Sequence, residues 1–371
     1  MSKAKVMESK RYMALGLMSG TSLDGVDAAV IETDGQEIFG FGRSICVDFP
    51  DDGGPVKDAV KIALKWRFNG PPPNKLQIGS DYIDSVHIEA IGSLGIENVD
   101  IIGYHGQTVF HQPAQNGEKG QTLQLGNGQA LASKFGVPCI YDFRTADVKA
   151  GGQGAPLAPI YHQALCRYSQ LKGRIAVVNI GGVSNVTLID GNKPLIATDC
   201  GPGNGPLDSW MELKGAQNFD LAGEQSMKGH PDLKRIARWF ERDFFKRPIP
   251  RSADRYDFDV LADMRDMSLE NGAATLASFC AQSISRDLRA FTPNNIIVCG
   301  GGRHNPAIMG MLDMHTDGNV LSAEDVGWDG DALEAQAFAY LAVRTVKGLP
   351  ISFPGTTGVP YPMTGGVVAR P

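Results

Sequence analysis

Residues 15–33 read LGLMSGTSLDGVDAAVIET. Apolar runs at 12–18 and 26–31 flank a turn of Gly, Ser, Thr and Asp, the pattern of a β-hairpin. Its tip, Ser19-Gly20-Thr21-Ser22-Leu23-Asp24-Gly25, offers two glycines, three hydroxyls and a run of backbone N–H groups, which suits a phosphate. One such turn in isolation is only a polar turn. A second copy gives it weight: residues 174–180 and 186–189 are apolar strands around Gly181-Gly182-Val183-Ser184-Asn185. Strand-GLMSGTS-strand and strand-NIGGVSN-strand are the same device, an internal repeat.

Outward from the first hairpin, residues 37–47 add a third strand, so the sheet starts antiparallel. Helical spacing follows at 56–66 and 81–95, then strands at 101–104 and from Thr122, a helix at 128–135 and a strand at 138–141. This alternation predicts an α/β fold. The Gly-rich stretch 150–156 marks a domain boundary, giving domains 12–150 and 151–371 after a polar tail at 1–11. The second domain holds strands 174–180, 186–189, 195–198 and 295–299, a long amphipathic helix at 273–291, and a last strong helix at 331–346. A Pro/Gly/Thr tail from 349 carries little regular structure and is expected to pack back on the first domain.

With 371 residues, 42% hydrophobic, the chain can bury the cores of two domains. The net charge of −6, with scattered cations and no basic run, argues against a nucleic-acid or anionic-membrane surface, so any bound anion must be held locally. Six cysteines without a CxxC fit buried thiols in a reducing compartment. The polar N-terminus lacks an apolar signal segment and no run has the length of a membrane span, which points to the cytoplasm.

Neither G-x-x-x-x-G-K-[ST] nor G-x-G-x-x-G occurs, so P-loop and dinucleotide-binding folds are unsupported. A cleft with one hairpin on each side, gripping a polyphosphate and its Mg²⁺, would use both copies. The strand at 295–299 opens on Gly300, Gly301 and Gly302 and then a helix. Glycines there let the flat ring of adenosine lie on the backbone. Asp24, Asp142 and Asp199 stand at or beyond strand-like runs, where open sheets expose ligand groups. Asp199 is the best general base because it ends a strand in this reading and is followed by glycines that leave it uncovered. His105 and His111 lack a Cys or Glu at ligand spacing, which argues against zinc, and no residue is assigned to a metal. His105 reads instead as a polar contact in the cleft. Arg144 and Gln153 supply groups for a sugar or phosphate, and Glu334 opens an apolar helix, where an acid also suits the helix dipole.

Together LGLMSGTSLDGVD, YHGQT, LQLGNGQALA, DFRTADVKAGGQGAPLAP, NIGGVSNVTLI, DCGPGN, VCGGGRHNP and DALEAQAFAYLA, in that order, closely resemble the anhydro-N-acetylmuramic acid kinases. The resemblance runs from about Tyr12 to the tail. It implies a two-domain actin-like ATPase (ribonuclease-H-like) fold with a duplicated mixed β-sheet core and an ATP cleft between the domains. It also implies that 1,6-anhydro-N-acetylmuramic acid is hydrolytically opened and phosphorylated on its 6-oxygen, giving N-acetylmuramic acid 6-phosphate and ADP in cell-wall recycling. Asp199 matches the family's catalytic aspartate, which would deprotonate the attacking water. Residues Ser19, Gly20, Thr21, Ser22, Leu23, Asp24, Gly25 and Val26 match its ATP-binding stretch. Gly181, Gly182, Gly300, Gly301 and Gly302 would hold phosphates and adenosine, with His105, Arg144, Gln153 and Glu334 on the sugar. A homodimer is plausible from the family. The alternatives are a kinase for a related anhydrosugar such as levoglucosan, and an ATP-switched binding module that touches no sugar.

Overall fold

The computed structural model describes residues 10–20, 23, 25–95, 97–114, 119–253 and 255–371. Strands β1 (Tyr12–Ser19), β2 (Gly25–Thr33), β3 (Ile38–Asp48), β4 (Ile101–Gln112), β5 (Gln121–Leu125) and β6 (Cys139–Tyr141) come first. Then follow β7 (Arg174–Ile180), β8 (Val183–Asp190), β9 (Ile196–Pro202), β10 (Asn295–Cys299), β11 (Asn319–Ser322) and β12 (Val367–Ala369). The chain divides into two compact units. The first takes Met1–Ala150, Glu334–Ser352 and Pro362–Pro371, and the second takes Gly151–Leu333 and Phe353–Tyr361.

In the first unit the sheet order is β12-β6-β4-β1-β2-β3, with β5 on β4. The β1–β2 and β2–β3 pairs are antiparallel, while β4 runs parallel to both β1 and β6. The second unit's sheet runs β11-β10-β7-β8-β9. Here β7–β8 and β8–β9 are antiparallel, and β10 is parallel to both β7 and β11. Strand for strand and direction for direction, β3-β2-β1-β4-β6 matches β9-β8-β7-β10-β11. The repeat read from the two hairpins therefore extends to the whole core of each unit, and the fold is the duplicated mixed-sheet, actin-like α/β class.

β1 is buried almost throughout instead of alternating, as a central strand covered on both faces must be, whereas β3 is largely exposed at the sheet edge. One face of the first sheet packs with Val56, Ala59, Ile83, Val86, Ala90 and Ile91 of helices Gly54–Trp66 and Asn74–Leu94. The helix Leu333–Val346 lies on Gly16 and Gly103, which face each other across β1 and β4. A Cβ at Gly16 would sit 1.7 Å from the Ala335 carbonyl oxygen, and one at Gly103 would sit 2.1 Å from that of Phe338. Only a bare sheet admits the helix backbone this closely. From Glu334 this helix belongs to the first unit, although the linear reading counted it with the second.

In the second unit, helices Leu269–Leu288 and Pro306–Met314 bury Ala277, Ala281, Ile284, Ile308 and Leu312 against β7 and β10. Beside them is a second apolar cluster of Trp210, Trp239, Phe244, Phe245, Phe258 and Phe279. Several strands differ from the sequence expectation, β4 among them, which runs on past Tyr104 to Gln112. β9 continues through Asp199 to Pro202, β11 was not anticipated, and the irregular tail supplies β12, which closes the first sheet against β6. The six cysteines stay thiols, five of them buried. Among the described residues no helix is long and apolar enough to cross a membrane.

Candidate active site

In the second unit, β7 turns into β8 through Gly181 and Gly182 only. The turn is fixed by backbone. Asn204 N–H donates to the Gly181 carbonyl at 2.7 Å, and the N–H groups of Gly203 and Gly205 donate to that of Gly182 at 3.1 and 3.2 Å. A Cβ added to Gly182 would meet nothing within 4 Å, so the fold does not demand glycine there and the backbone faces open space. Gly300 is different: its φ of +74° and the Ile180 carbonyl oxygen, which would lie 2.7 Å from a Cβ, both require glycine. Gly302 lies against Ile180 and, with Gly301, near Asn204, so the three glycine segments 181–182, 203–205 and 300–302 converge. Arg303, buried, pins the last of them by donating to the Gly300 carbonyl at 3.0 Å while pairing with Glu324 and Asp331.

Asp199 lies on β9 at a register shift where it and Cys200 oppose Asn185. It does not end its strand, as the sequence suggested. A bulge frees it instead, because an extra residue in one strand re-aims the side chains beside it. Its half-buried carboxylate accepts the Ala253 N–H at 2.7 Å, and its own N–H donates to the Arg251 carbonyl at 3.0 Å. Burial pushes this carboxyl up to about 7, against the Ala253 hydrogen bond and the Arg251 charge, while Asp257 adds to the rise. A carboxylate poised near neutrality is suited to accept a proton. Gln153 belongs to the same neighbourhood, donating through Nε2 to the Pro250 carbonyl at 3.0 Å.

The first unit gathers His105, Arg144 and Glu334. His105 also sits at a bulge: Leu17 pairs with Tyr104 and Ser19 with Gln107, leaving an extra residue on β4. The imidazole Nδ1–H donates to the Gly106 carbonyl at 2.7 Å, and Nε2 accepts from Arg144 Nε at 3.0 Å. This tautomer is neutral, and burial followed by the Arg144 charge holds the His105 pKa well below its ordinary value. Phe338 of helix Leu333–Val346 backs the ring at 4.5 Å between centroids. Glu334 has an open face, yet desolvation raises its pKa while Arg144 opposes the rise. A cavity of ≈ 170 Å³ opens beside His105, lined among others by Tyr104, Gln124, Tyr141 and Asp142. Asp142 itself caps the short helix Thr145–Lys149 through the Thr145 N–H at 3.2 Å.

The tip of the first hairpin divides. Thr21, Ser22 and Asp24 lie outside the described residues. Ser19 is buried, its hydroxyl 2.6 Å from Gln107 Oε1 and 3.2 Å from the Gly25 carbonyl, and Gln107 Nε2 donates to the Gly20 carbonyl at 3.0 Å. Ser19 is thus a brace between β1 and β4. Leu23 adopts a left-handed φ of 59°, Gly25 pairs with Asp48, and Val26 turns its side chain fully into the core, leaving only its backbone for a ligand. Sequence reasoning missed Gln107, Arg251, Ala253 and Arg303. Gln107, inside YHGQT, and Arg303, inside VCGGGRHNP, lay in motifs it had quoted, whereas Arg251 and Ala253 lay in none. Among the described residues no three His, Cys, Asp or Glu are gathered to hold a metal. Mg²⁺ in phosphoryl transfer commonly takes one or two carboxylates plus the nucleotide's phosphates, a demand that needs no such cluster.

Residues 11–370 match the family described as anhydro-N-acetylmuramic acid kinase. Relatives bearing that name include one from Bradyrhizobium diazoefficiens, 47% identical over 96% of this chain and 99% of its own, and one from Acidiphilium cryptum, 45% identical over 96% and 98%. Among solved structures, the activator of the 2-hydroxyisocaproyl-CoA dehydratase from Clostridium difficile with bound ADPNP aligns with a TM-score of 0.45 and 14% identity. That alignment covers 90% of this chain and 96% of the activator. On the full-length family match and this level of identity, the chain belongs to the anhydro-N-acetylmuramic acid kinase family.

Proposed function

We propose that the chain carries out the ATP-dependent opening and phosphorylation of 1,6-anhydro-N-acetylmuramic acid. Asp199 takes a proton from the water that attacks the anomeric carbon. The bond from that carbon to the 6-oxygen breaks, and the 6-oxygen takes the γ-phosphoryl group, so that N-acetylmuramic acid 6-phosphate and ADP leave. Gly181, Gly182 and the 300–302 turn present backbone to the phosphates and adenosine, as does the tip from Ser19 to Val26. His105, Arg144, Gln153 and Glu334 contact the sugar: a neutral imidazole, a guanidinium, an amide and a carboxyl can between them satisfy hydroxyl, ring-oxygen and carboxylate groups. Mg²⁺ travels with the ATP and offsets its charge when bound.

The observation that carries this reading is Asp199, freed by a bulge, held by one backbone N–H and poised near pH 7 in the unit that also holds the open glycine turn. The family resemblance adds a cytoplasmic setting, a place in cell-wall recycling and a homodimer, whose mass light scattering would read directly. A coupled ADP-release assay with anhydro-N-acetylmuramic acid, levoglucosan and no sugar tests the function. ADP is expected with the amino sugar first. Equal release without sugar would replace the kinase by an ATP-driven switch, and faster release with levoglucosan would reassign the substrate.

A further inference from the structure

The segment 250–253 lies along the exposed side of β9 and is held there by more than the Asp199 carboxylate. Arg251 N–H donates to Thr198 Oγ1 at 3.1 Å, and the Arg251 carbonyl accepts from Asp199 N–H at 3.0 Å and from Thr198 Oγ1 at 3.3 Å. The Arg251 side chain is 7% exposed. It pairs with Asp287 Oδ2 at 2.6 Å, donates to the Arg247 carbonyl at 3.3 Å, and stacks 4.7 Å over the ring of Phe244. Among the described residues its Nε has no hydrogen-bond partner. Asp287, 10% exposed, comes from the far end of helix Leu269–Leu288. A buried pair of this kind is weak evidence for stability, because desolvation offsets its Coulombic gain, and its placement asks for another role.

We propose that the Arg251–Asp287 pair is a positioning couple for Asp199: Asp287 anchors Arg251, and Arg251 holds the 250–253 segment so that the Ala253 N–H aims the carboxylate and a compensated charge sits beside it. The proposal rests on Asp199 being the general base. Burial and the Asp257 charge oppose the ionised form of that carboxyl, while the Ala253 N–H and the Arg251 charge favour it. Asp287 bears on it through Arg251, whose charge it compensates. Opposite charge near a carboxyl lowers its pKa and like charge raises it. Removing the two members of the pair must therefore move Asp199 in opposite directions. This distinguishes tuning from support, since a purely structural pair would lower turnover or stability without moving a pH profile by sign.

The test is the pH profile of kcat for Asp287→Asn, Arg251→Met and the double variant, with thermal melting alongside. In Asp287→Asn the uncompensated guanidinium should shift the acid limb to lower pH, by roughly half a unit or more. In Arg251→Met the limb should move to higher pH, and in the double variant it should return close to the parent position. If Arg251→Met does not fold, Asp287→Asn, which keeps shape and volume, decides alone. Limbs that stay in place, or move the same way in both single variants, overturn the proposal. Asp199→Asn separates the two readings: if that variant turns over normally the base lies elsewhere, whereas if it is inactive and the limbs above stay fixed, only the positioning role is lost.

Discussion

The two hairpins share a sequence device and a place in their sheets, but they are held by different chemistry. Between β1 and β2 lie residues 20–24, and the start of that turn is braced by side chains, Ser19 against Gln107 and Gln107 against Gly20. Between β7 and β8 lie Gly181 and Gly182 alone, braced by backbone N–H groups of residues 203–205. A turn held by backbone can leave its own Cα surface bare toward a ligand. A turn held by buried hydroxyl and amide groups spends those groups on the fold. The duplication thus gave one turn that the fold leaves bare, the turn proposed to face the phosphates, and another restricted first by what supports it.

The largest effect is expected at the carboxylate beside the second turn. Asp199→Asn should leave ATP binding nearly intact and lower turnover by about 10²-fold or more, the loss typical of a general base. In the parent enzyme kcat should fall as pH drops below about 7, where Asp199 becomes protonated. The stability consequence has the opposite sense. A carboxyl whose folded pKa is raised favours the fold below its unfolded pKa of 3.8, and that contribution is lost as pH rises through about 7. The Asn variant should therefore melt higher than the parent at pH 8 and no higher at pH 4. Calorimetry at both pH values checks the sign, and equal shifts at the two would detach stability from ionisation.

An intermediate effect is expected at the bare turn. In Gly182→Val the new side chain has room in the fold but enters the space assigned to phosphate. The KM for ATP should rise about tenfold, the scale of one charge-assisted hydrogen bond, with the melting temperature unchanged. A folded variant with parent-like KM would remove the phosphate from this turn. The smallest effect belongs to the braced turn. Ser19→Ala leaves Gln107 Oε1 without its donor and should cost about 1 kcal/mol, a fall of roughly 2–4 °C in melting temperature. Should this variant instead raise the KM for ATP with stability intact, the two turns would be equivalent after all.

Much of this architecture was legible because its signals are local. β1, β2 and β10 are apolar runs bounded by glycines, and the repeated hairpin correctly implied a repeated sheet. The resemblance to a kinase family rested on short motifs that survive at the turns. Features set by distant partners were not legible. β12 is three residues that become a strand only against β6, and helix Leu333–Val346 gives no hint in its own sequence that Gly16 and Gly103 clear its seat. Of the site, residue types were readable but the means of exposure was not. His105 and Asp199 both stand at bulges, which depend on the register of a neighbouring strand and leave no spacing signature. Arg251 and Ala253 lie in the Pro- and Arg-rich stretch 247–255, which carries no motif.

The close seating of Ala335 and Phe338 on Gly16 and Gly103 bears on how the molecule is made. Synthesis delivers the first sheet's central strands early and the helix that covers one of their faces only after nearly all of the second unit has been produced. Until then a broad apolar surface stays uncovered on the nascent polypeptide, a natural landing place for ribosome-associated chaperones. The second unit, mostly one uninterrupted stretch, can assemble in the meantime.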